Sequence, residues 1–294
     1  MLWTITGREL RTLFAVTGSQ HSDAAFGAIT PDFRVELFEC AACGFQFFDP
    51  ALAGSGEFYA EADPGTYYAA KRPEFDVALR FARERGLKTV LDVGGGDGAF
   101  LDVAREAGMQ THGIELNPKA AAAAAAKGHT MLGKPFAEID PGDLGGGVEL
   151  MTFFHVVEHV PDPRRFLGEA QRLVKPGGFL MIALPNRAGI GRLLPYDPAN
   201  MPPHHISRWR RTDLARLAAA CDLRVVSIGG EVLHGREIEN FWLLHNRLAL
   251  AIGRPPRAGG AWLPRLLSLL YRKLGCRFYL PRRGFSIYAI LQRP

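Results

Sequence analysis

The chain has 294 residues, of which 47% are apolar and 22% are charged. This length holds one large α/β domain with appendages, and the apolar content excludes an intrinsically disordered protein. No uncharged apolar stretch reaches the roughly 18 residues of a membrane-spanning helix, and the first residues lack the layout of a signal peptide. We therefore expect a cytoplasmic protein. Its four cysteines stand at unequal spacings, which does not predict a disulfide framework.

The net charge of +5 hides a segregation of charge along the chain. Residues 241–294 contain ten Lys or Arg residues and no acid, which leaves 25 bases and 30 acids in the remainder. Such segregation indicates an anionic partner near the C-terminal end. Nucleic acid is not expected as this partner, because the sequence contains no recognised nucleic-acid-binding module.

The predicted elements form two regions. Residues 1–72 predict irregular structure, with a loop or short helix over 54–68. Beyond them, short apolar runs typical of buried strands alternate with helical patterns. We predict strands over 88–93, 111–116, 148–154, 177–185, 223–229 and 285–291, and helices that begin at Pro73, Ala99, Pro118, Pro163 and Thr212. This alternation predicts a doubly wound, Rossmann-like α/β sheet with helices on both faces.

A glycine-rich loop, in the sequence LDVGGGDGAF, follows the first of these strands. Gly94, Gly96 and Gly98 allow the backbone to approach a ligand closely. Because the spacing also satisfies the dinucleotide fingerprint, the glycines alone do not choose the cofactor. Asp92 favours a cationic cofactor, since a carboxylate repels the pyrophosphate of a dinucleotide. Glu115 ends the next strand and is suited to two ribose hydroxyls with either cofactor.

Four segments in order, LDVGGGDGAF, GIELNP, FHVVEHVPDP and LVKPGGFLMIALPN, resemble the motifs of class I S-adenosylmethionine (SAM)-dependent methyltransferases. The likeness covers about residues 73–230 and is nearest to the branch of ubiquinone-biosynthesis O-methyltransferases and related small-molecule methyltransferases. It implies a seven-stranded sheet whose last strand, 285–291, is antiparallel. It also implies SAM as cofactor, with its amino-acid portion against Asp92 and the loop glycines and its ribose against Glu115.

The same resemblance places Phe136 or Ala137 near the adenine of the donor. We add Phe154, the last residue of the third predicted strand, to the donor-binding set. We further predict an N-terminal extension over 1–72 and a SAM-dependent methyltransferase domain over 73–294.

A basic helical insertion is predicted over 230–284, before the last strand. Within it, residues 263–274 form a leucine stripe with Arg and Lys beside it. A basic amphipathic helix of this kind can lie on an anionic membrane surface. We therefore predict a possible peripheral membrane contact through 255–280, with packing on the core as a lid as the alternative.

The segment FHVVEHVPDP brings His155, Glu158 and His159 to spacings that would share one face of a helix. The spacing also matches an inverted zinc-protease motif, but the prolines at 161 and 163 interrupt the long helix which that site needs. Three roles stay open: support of the strand–helix turn, a general base for an acceptor hydroxyl, and a metal site. We predict no metal, because His155 stands where some similar enzymes carry an acid.

Methyl transfer is an in-line displacement, so alignment supplies much of the rate and a base adds roughly 10²–10⁴-fold. His204, beside His205 in MPPHHISRWRRTDL, is a second candidate base. It stands on a proline-stiffened loop, where paired histidines are also commonly surface or hydrogen-bonded residues.

Cys40 and Cys43 have the spacing of half a zinc knuckle. They resemble the N-terminal zinc ribbon that some methyltransferases carry, which has two such pairs. This chain has no first pair, and upstream only His21 could act as a ligand. We therefore predict a degenerate remnant without stable zinc.

Taken together, these features predict a SAM-dependent methyltransferase acting on an oxygen of a small or lipid-like acceptor. Two alternatives belong to other classes. One is an NAD(P)-dependent oxidoreductase, which the glycine spacing allows; the other is a SAM-binding scaffold without turnover.

Overall fold

The computed structural model describes residues 1–19, 21–61, 71–134, 136–189, 194–231, 244–254 and 284–294. These residues divide into two compact units. The first unit comprises Met1–Gly54, Pro185–Arg210 and Gly229–Ile287, and the second comprises Ser55–Leu184, Arg211–Ile228 and Tyr288–Pro294. Each unit is therefore assembled from segments distant in sequence. The domain division predicted at residue 72 stays a prediction.

The strands are β1 (Trp3–Thr6), β2 (Arg34–Glu39), β3 (Gln46–Phe47), β4 (Thr89–Val93), β5 (Gln110–Ile114), β6 (Thr130–Met131), β7 (Val148–Phe154), β8 (Val174–Pro185), β9 (Ser207–Arg208), β10 (Arg224–Gly230) and β11 (Ser286–Gln292). The α-helices with both ends described span Gly7–Val16, Gly56–Ala60, Pro73–Arg85, Ala99–Glu106, Pro118–Ala126, Pro163–Ala170 and Arg211–Ala220. Residues 244–251 are also helical.

A seven-stranded sheet in the order β10–β11–β8–β7–β4–β5–β6 forms the centre of the second unit. The five strands from β4 to β8 pair in parallel. The last strand, β11, runs antiparallel to β8. At the end of this pair the Gly177 N–H donates to the Arg293 carbonyl, and the Arg293 N–H donates to the Gly178 carbonyl. The predicted fold, a Rossmann-like doubly wound sheet of seven strands with the last one antiparallel, is confirmed.

The helices of this unit begin and end where the sequence indicates. Pro73 occupies the first turn of its helix, and Gly86 closes that helix with a left-handed φ of 67°. The Asn117 side chain accepts from the Lys119 and Ala120 N–H groups and so begins the alanine-rich helix. The helix that begins at Pro163 ends at Ala170 and is followed by a 3₁₀ turn over Gln171–Leu173.

Three phenylalanine rings fill the core between the sheet and its helices. The ring of Phe100 lies 5.3 Å from that of Phe75 and 4.8 Å from that of Phe154, between centroids. Phe75 and Phe154 are themselves 4.9 Å apart. Phe100 is 1% exposed, so this cluster joins two helices to the carboxyl end of β7.

The expectation of irregular structure over residues 1–72 is wrong where the described part of this region forms strands and helices. Strands β1, β2, β3 and β9 form an antiparallel four-stranded sheet in the first unit. The side chain of Thr6 and that of Glu9 form a capping box that starts the helix Gly7–Val16. The short helix expected within 54–68 is present as Gly56–Ala60.

The predicted basic insertion falls largely outside the described residues. Its leucine stripe over 263–274 and the proposed membrane segment 255–280 lie there entirely. Among the helices that the structure describes, none combines the length and apolar character that crossing a bilayer requires. Contact with a membrane surface stays a prediction.

We expect Phe100→Ala to destabilise the protein by about 3–5 kcal/mol, because it removes a fully buried ring and leaves a cavity between the other two. Urea unfolding followed by circular dichroism measures the loss. Val225→Ala, at a position that is 41% exposed, is the control and should change stability by about 0.5 kcal/mol or less. Equal effects of the two substitutions would contradict the packing described above.

Candidate functional site

The glycine loop connects β4 to the helix Ala99–Glu106. Gly94, Gly96 and Gly98 have φ angles of 73°, 56° and 86°, all in the left-handed region. A Cβ at position 94 would lie 2.6 Å from Cγ2 of Val156. The loop is held to the next strand because the Gly94 and Gly95 N–H groups donate to the Ile114 carbonyl, at 2.8 and 3.0 Å. Glycine is therefore required at position 94 by both conformation and space.

Glu115 fixes the other side of this loop. Its Oε2 accepts from the Gly96 N–H at 2.8 Å, and its Oε1 accepts from the Asn117 N–H at 2.7 Å. The carboxylate is thus positioned by backbone donors between the glycine loop and the next helix. This is the place at which the sequence predicts a ribose-binding acid.

Asp92 is buried at the carboxyl end of β4, with 3% of its surface exposed. Burial raises its pKa to about 7; the Thr152 hydroxyl, which donates to Oδ1 at 2.7 Å, opposes the rise, and the charge of Glu115 adds to it. A cation bound beside this carboxylate would offset its cost of desolvation.

These residues fit SAM. The donor carries a sulfonium and an ammonium but no phosphate, so its charges complement Asp92, and its ribose hydroxyls complement the carboxylate of Glu115. Gly94 and Gly96 have a left-handed φ, and the absence of a side chain lets the backbone approach a ligand closely. When bound, SAM would supply an electrophilic methyl group at this edge of the sheet.

The remaining predicted donor residues occupy three environments. The half-buried ring of Phe136 lies 4.9 Å from that of Phe166, and the carbonyl of the exposed Ala137 accepts from Arg172 at 2.7 Å. Phe154 belongs to the aromatic core, with 8% exposure. Contact of these three residues with the donor stays a prediction.

His155 lies between two carboxylates just after β7. Its Nδ1 is 3.3 Å from Oε1 of Glu158, and its Nε2 is 3.8 Å from Oε1 of Glu74. Burial alone would lower its pKa, but the hydrogen bonds that His155 donates to Glu158 and Glu74 outweigh burial and raise its pKa. The two buried acids thereby favour the protonated form of His155.

The residues of the HxxEH cluster do not share the face of an α-helix. Val157–His159 form a single 3₁₀ turn, and His155 precedes it with a left-handed φ of 58°. The His155 N–H donates to the Ala183 carbonyl at 2.8 Å, which continues the contact of β7 with β8 and keeps His155 out of a helix. The cluster consequently points in more than one direction.

His159 pairs with a tyrosine that precedes the sheet. Its Nδ1 is 3.0 Å from the hydroxyl of Tyr59, and the Tyr59 carbonyl accepts from Nδ2 of Asn117 at 3.0 Å. His159 follows β7 and Asn117 follows β5, while β4 lies between these strands. Tyr59 therefore spans the strand that carries the glycine loop.

Sequence reasoning missed Tyr59, Glu74 and Thr152. Tyr59 stands in a stretch interpreted only as loop or short helix, 100 positions before its histidine partner. Glu74 is an acid in the first turn of a helix, which is an ordinary place for one. Only the structure shows that its side chain is buried, with 4% exposed. Thr152 interrupts an apolar strand beside Asp92, which in retrospect indicates a buried partner.

The other predicted residues lie in the first unit. Nδ1 of His204 is 2.9 Å from the Ala199 carbonyl, and its ring stacks on that of His205 at 4.3 Å. Cys40 and Cys43 occupy the turn between β2 and β3, which the bond from the Gly44 N–H to the Cys40 carbonyl closes at 2.7 Å. The roles of His204 as base and of the cysteines as a zinc-ribbon remnant stay predictions.

A parallel sheet whose carboxyl edge carries a glycine loop and two acids defines a doubly wound cofactor-binding domain. The family described as "Methyltransferase domain" matches residues 67–228, more than half of the chain. The chain belongs to this family. The predicted methyltransferase family is confirmed by that match.

The chain is also similar to individual methyltransferases. It is 33% identical over 138 residues to an uncharacterized methyltransferase of Mycobacterium sp. (strain JLS), covering 42% of this chain and 52% of the relative. It is 31% identical over 116 residues to the ubiquinone biosynthesis O-methyltransferase of Thiobacillus denitrificans, covering 36% and 48%. The chain thus spans about half the length of these curated relatives.

Solved structures with similar folds include a SAM-dependent methyltransferase from Archaeoglobus fulgidus, at a TM-score of 0.46 and 18% identity, covering 74% of this chain and 94% of that one. Magnesium protoporphyrin IX methyltransferase from Synechocystis PCC 6803, solved with bound SAM, has a TM-score of 0.44 and 13% identity, covering 75% and 78%.

We expect Asp92→Asn to stabilise the ligand-free protein as pH rises. Because the pKa of Asp92 is raised from 3.8 to about 7, its stabilising contribution is complete below pH 4 and is lost as pH rises through 7. Asparagine keeps an oxygen for the Thr152 hydroxyl and does not ionise. The advantage of the variant should grow between pH 4 and 7 and then level off, at up to about 4 kcal/mol.

Urea unfolding at a series of pH values without SAM measures this difference. Asp76→Asn, at an exposed position of the helix Pro73–Arg85, is the matched control and should show no such trend. A stability difference for Asp92→Asn that is constant from pH 4 to 8 contradicts the prediction.

Proposed function

We propose that the protein transfers a methyl group from SAM to a hydroxyl oxygen of a small or lipophilic acceptor. One observation carries the proposal: Tyr59 joins the candidate base His159 to Asn117, the residue that holds the carboxylate of Glu115. The residues suited to binding SAM and the candidate base for the acceptor hydroxyl are thus connected within the second unit. The likeness to ubiquinone biosynthesis O-methyltransferases supports oxygen as the methylated atom and a lipophilic acceptor.

The reaction needs one displacement and one proton transfer. A lone pair of the acceptor oxygen attacks the methyl carbon of SAM, and the carbon–sulfur bond breaks. The electron pair of that bond stays on sulfur, which leaves as the neutral thioether of S-adenosylhomocysteine. The hydroxyl proton passes to a base. Alignment of oxygen, carbon and sulfur supplies much of the rate.

Of the two histidines in the HxxEH cluster, His159 is the better base. With Nδ1–H donating to the Tyr59 oxygen, the lone pair of its Nε2 is the proton acceptor. His155 is instead placed between Glu158 and Glu74, which raise its pKa against the effect of burial. We assign His155 and Glu158 to support of the turn after β7, with His159 as the catalytic residue.

Crosslinking with tritiated SAM, in competition with NAD(P), tests the donor. We expect labelling that unlabelled SAM prevents and NAD(P) does not. Binding of NAD(P) without binding of SAM would instead support an oxidoreductase. Release of S-adenosylhomocysteine across a panel of phenols, aliphatic alcohols and lipid extracts tests turnover. SAM binding with no product from any acceptor would support a non-catalytic scaffold.

We expect SAM affinity to rise with pH between about 5.5 and 7. The donor cation favours the carboxylate of Asp92, whose pKa is raised to about 7, so affinity should increase by up to about tenfold per pH unit and flatten above 7. Binding near pH 6 should release protons. Calorimetry in buffers of different ionisation enthalpy measures both effects. Asp92→Asn should bind SAM more weakly and without this pH dependence; an unchanged pH profile in the variant would exclude Asp92 as its source.

We expect His159→Ala to lower kcat by roughly 10²–10⁴-fold with little change in SAM affinity, because it removes the base and leaves the glycine loop intact. Tyr59→Phe should give a smaller loss, since only the orienting hydroxyl disappears. Single-turnover kinetics with a working acceptor measures these losses. His204→Ala is the comparison: full activity there is expected, and a loss confined to His204→Ala would assign the base to that residue instead.

A further inference from the structure

We propose that the first unit holds a second ligand site, for a small organic monocarboxylate with an apolar or aromatic body. The site is a cleft of about 570 Å³, a volume typical of small-molecule pockets. Its described lining residues all belong to the first unit. The proposal goes beyond methyl transfer and shares no residue with the donor site.

Part of the cleft's lining is apolar. Trp3, Leu37, Leu194 and Phe285 contribute to it. The ring of Trp3 is fixed by edge-on contacts with Phe48 at 5.8 Å and Tyr196 at 6.5 Å, between centroids. A rigid aromatic surface of this kind suits a flat or apolar ligand body.

Arg208 belongs to the polar part of the lining. Its Nε and Nη2 donate to the Asn200 carbonyl at 3.1 and 2.9 Å, and its guanidinium carbon lies 5.4 Å from the centre of the Trp3 ring. These contacts fix the plane of the guanidinium. In the part of the chain that the structure describes, no group accepts a hydrogen bond from Nη1. Arg208 therefore offers an oriented donor to a ligand in the cleft.

The charged residues that line the cleft favour an anionic ligand. Three arginines line the cleft, Arg187, Arg208 and Arg210, and no acid is among its described lining residues. Glu39 lies 3.4 Å from Arg187, and the buried Asp197 acts electrostatically on Arg208. A ligand carboxylate would complement this arginine-containing lining.

Asp197 and Arg210 form hydrogen bonds to groups other than Arg208. The carboxylate of Asp197 accepts from the Ala199 N–H and from Nδ2 of Asn200, both at 3.0 Å. Nη2 of Arg210 donates to the Cys43 carbonyl at 2.8 Å. Burial lowers the pKa of Arg208 to about 10, so a carboxylate beside it would offset the cost of its desolvation.

Titration calorimetry of the full chain with 2-naphthoate and with its neutral amide, 2-naphthamide, tests the site. We expect one molecule of naphthoate per chain and an affinity for the amide at least about tenfold lower, because a charge-assisted hydrogen bond to Arg208 is lost. Saturating SAM should leave naphthoate affinity unchanged.

Two variants locate the binding. Arg208→Met should lower naphthoate affinity at least about tenfold and change amide affinity little. Ala188→Trp places a large side chain in the cleft from an exposed position and should weaken the binding of both ligands. This variant keeps the hydrogen bonds of Arg208. Arg34→Met, at an exposed position of β2, is the matched control and should bind as the parent protein does.

The proposal is overturned if naphthoate fails to bind at millimolar concentration or binds no better than its amide. Naphthoate binding that survives Ala188→Trp unchanged also overturns it, because the ligand then lies elsewhere. Should Arg208→Met fail to fold, the amide comparison and Ala188→Trp still decide the matter.

Discussion

The parallel pairing of β4 with β5 and β7 is the constraint on which the second unit depends. Parallel strands end at the same edge of a sheet, so residues that follow them in sequence are brought together in space. Asp92, Glu115 and His155 come from three such ends. The pairing of β4 is buried on both sides. Substitutions in the loops after these strands can therefore leave the sheet intact while changing the side chains at its carboxyl edge.

Burial of Asp92 at that edge disfavours its ionised form, and the surrounding residues offset this cost of desolvation only in part. Thr152 on β7 gives Asp92 one hydrogen bond, yet burial still raises the pKa of the carboxyl to about 7. The neighbouring His155 shows the opposite balance, since two carboxylates overcome its burial. The edge thus contains one acid that is poorly stabilised as an anion and one histidine that is well stabilised as a cation. Polar groups with perturbed pKa values are typical of functional sites.

The sequence predicts the second unit well because its signals are local. Pro73 and Gly86 mark a helix, apolar runs mark β4 and β7, and Asp92 follows from its place before the glycines. The first unit was missed because β3 and β9 have two residues each and pair across a gap of some 160 positions. Such short strands have no readable periodicity. Tyr59 was missed for a related reason. Its contact with His159 is set by the tertiary structure, and no local sequence pattern predicts it.

The position of Tyr59 in the chain separates it from the other residues of the proposed site. The segment that matches the methyltransferase family begins at residue 67, so Tyr59 lies outside it, whereas Asp92, Glu115 and His159 lie inside. The donor side of the proposed site therefore lies within the family domain, while the hydroxyl that contacts the proposed base comes from the segment before it. A substitution in that preceding segment can thus change the setting of His159 without replacing any residue of the donor side.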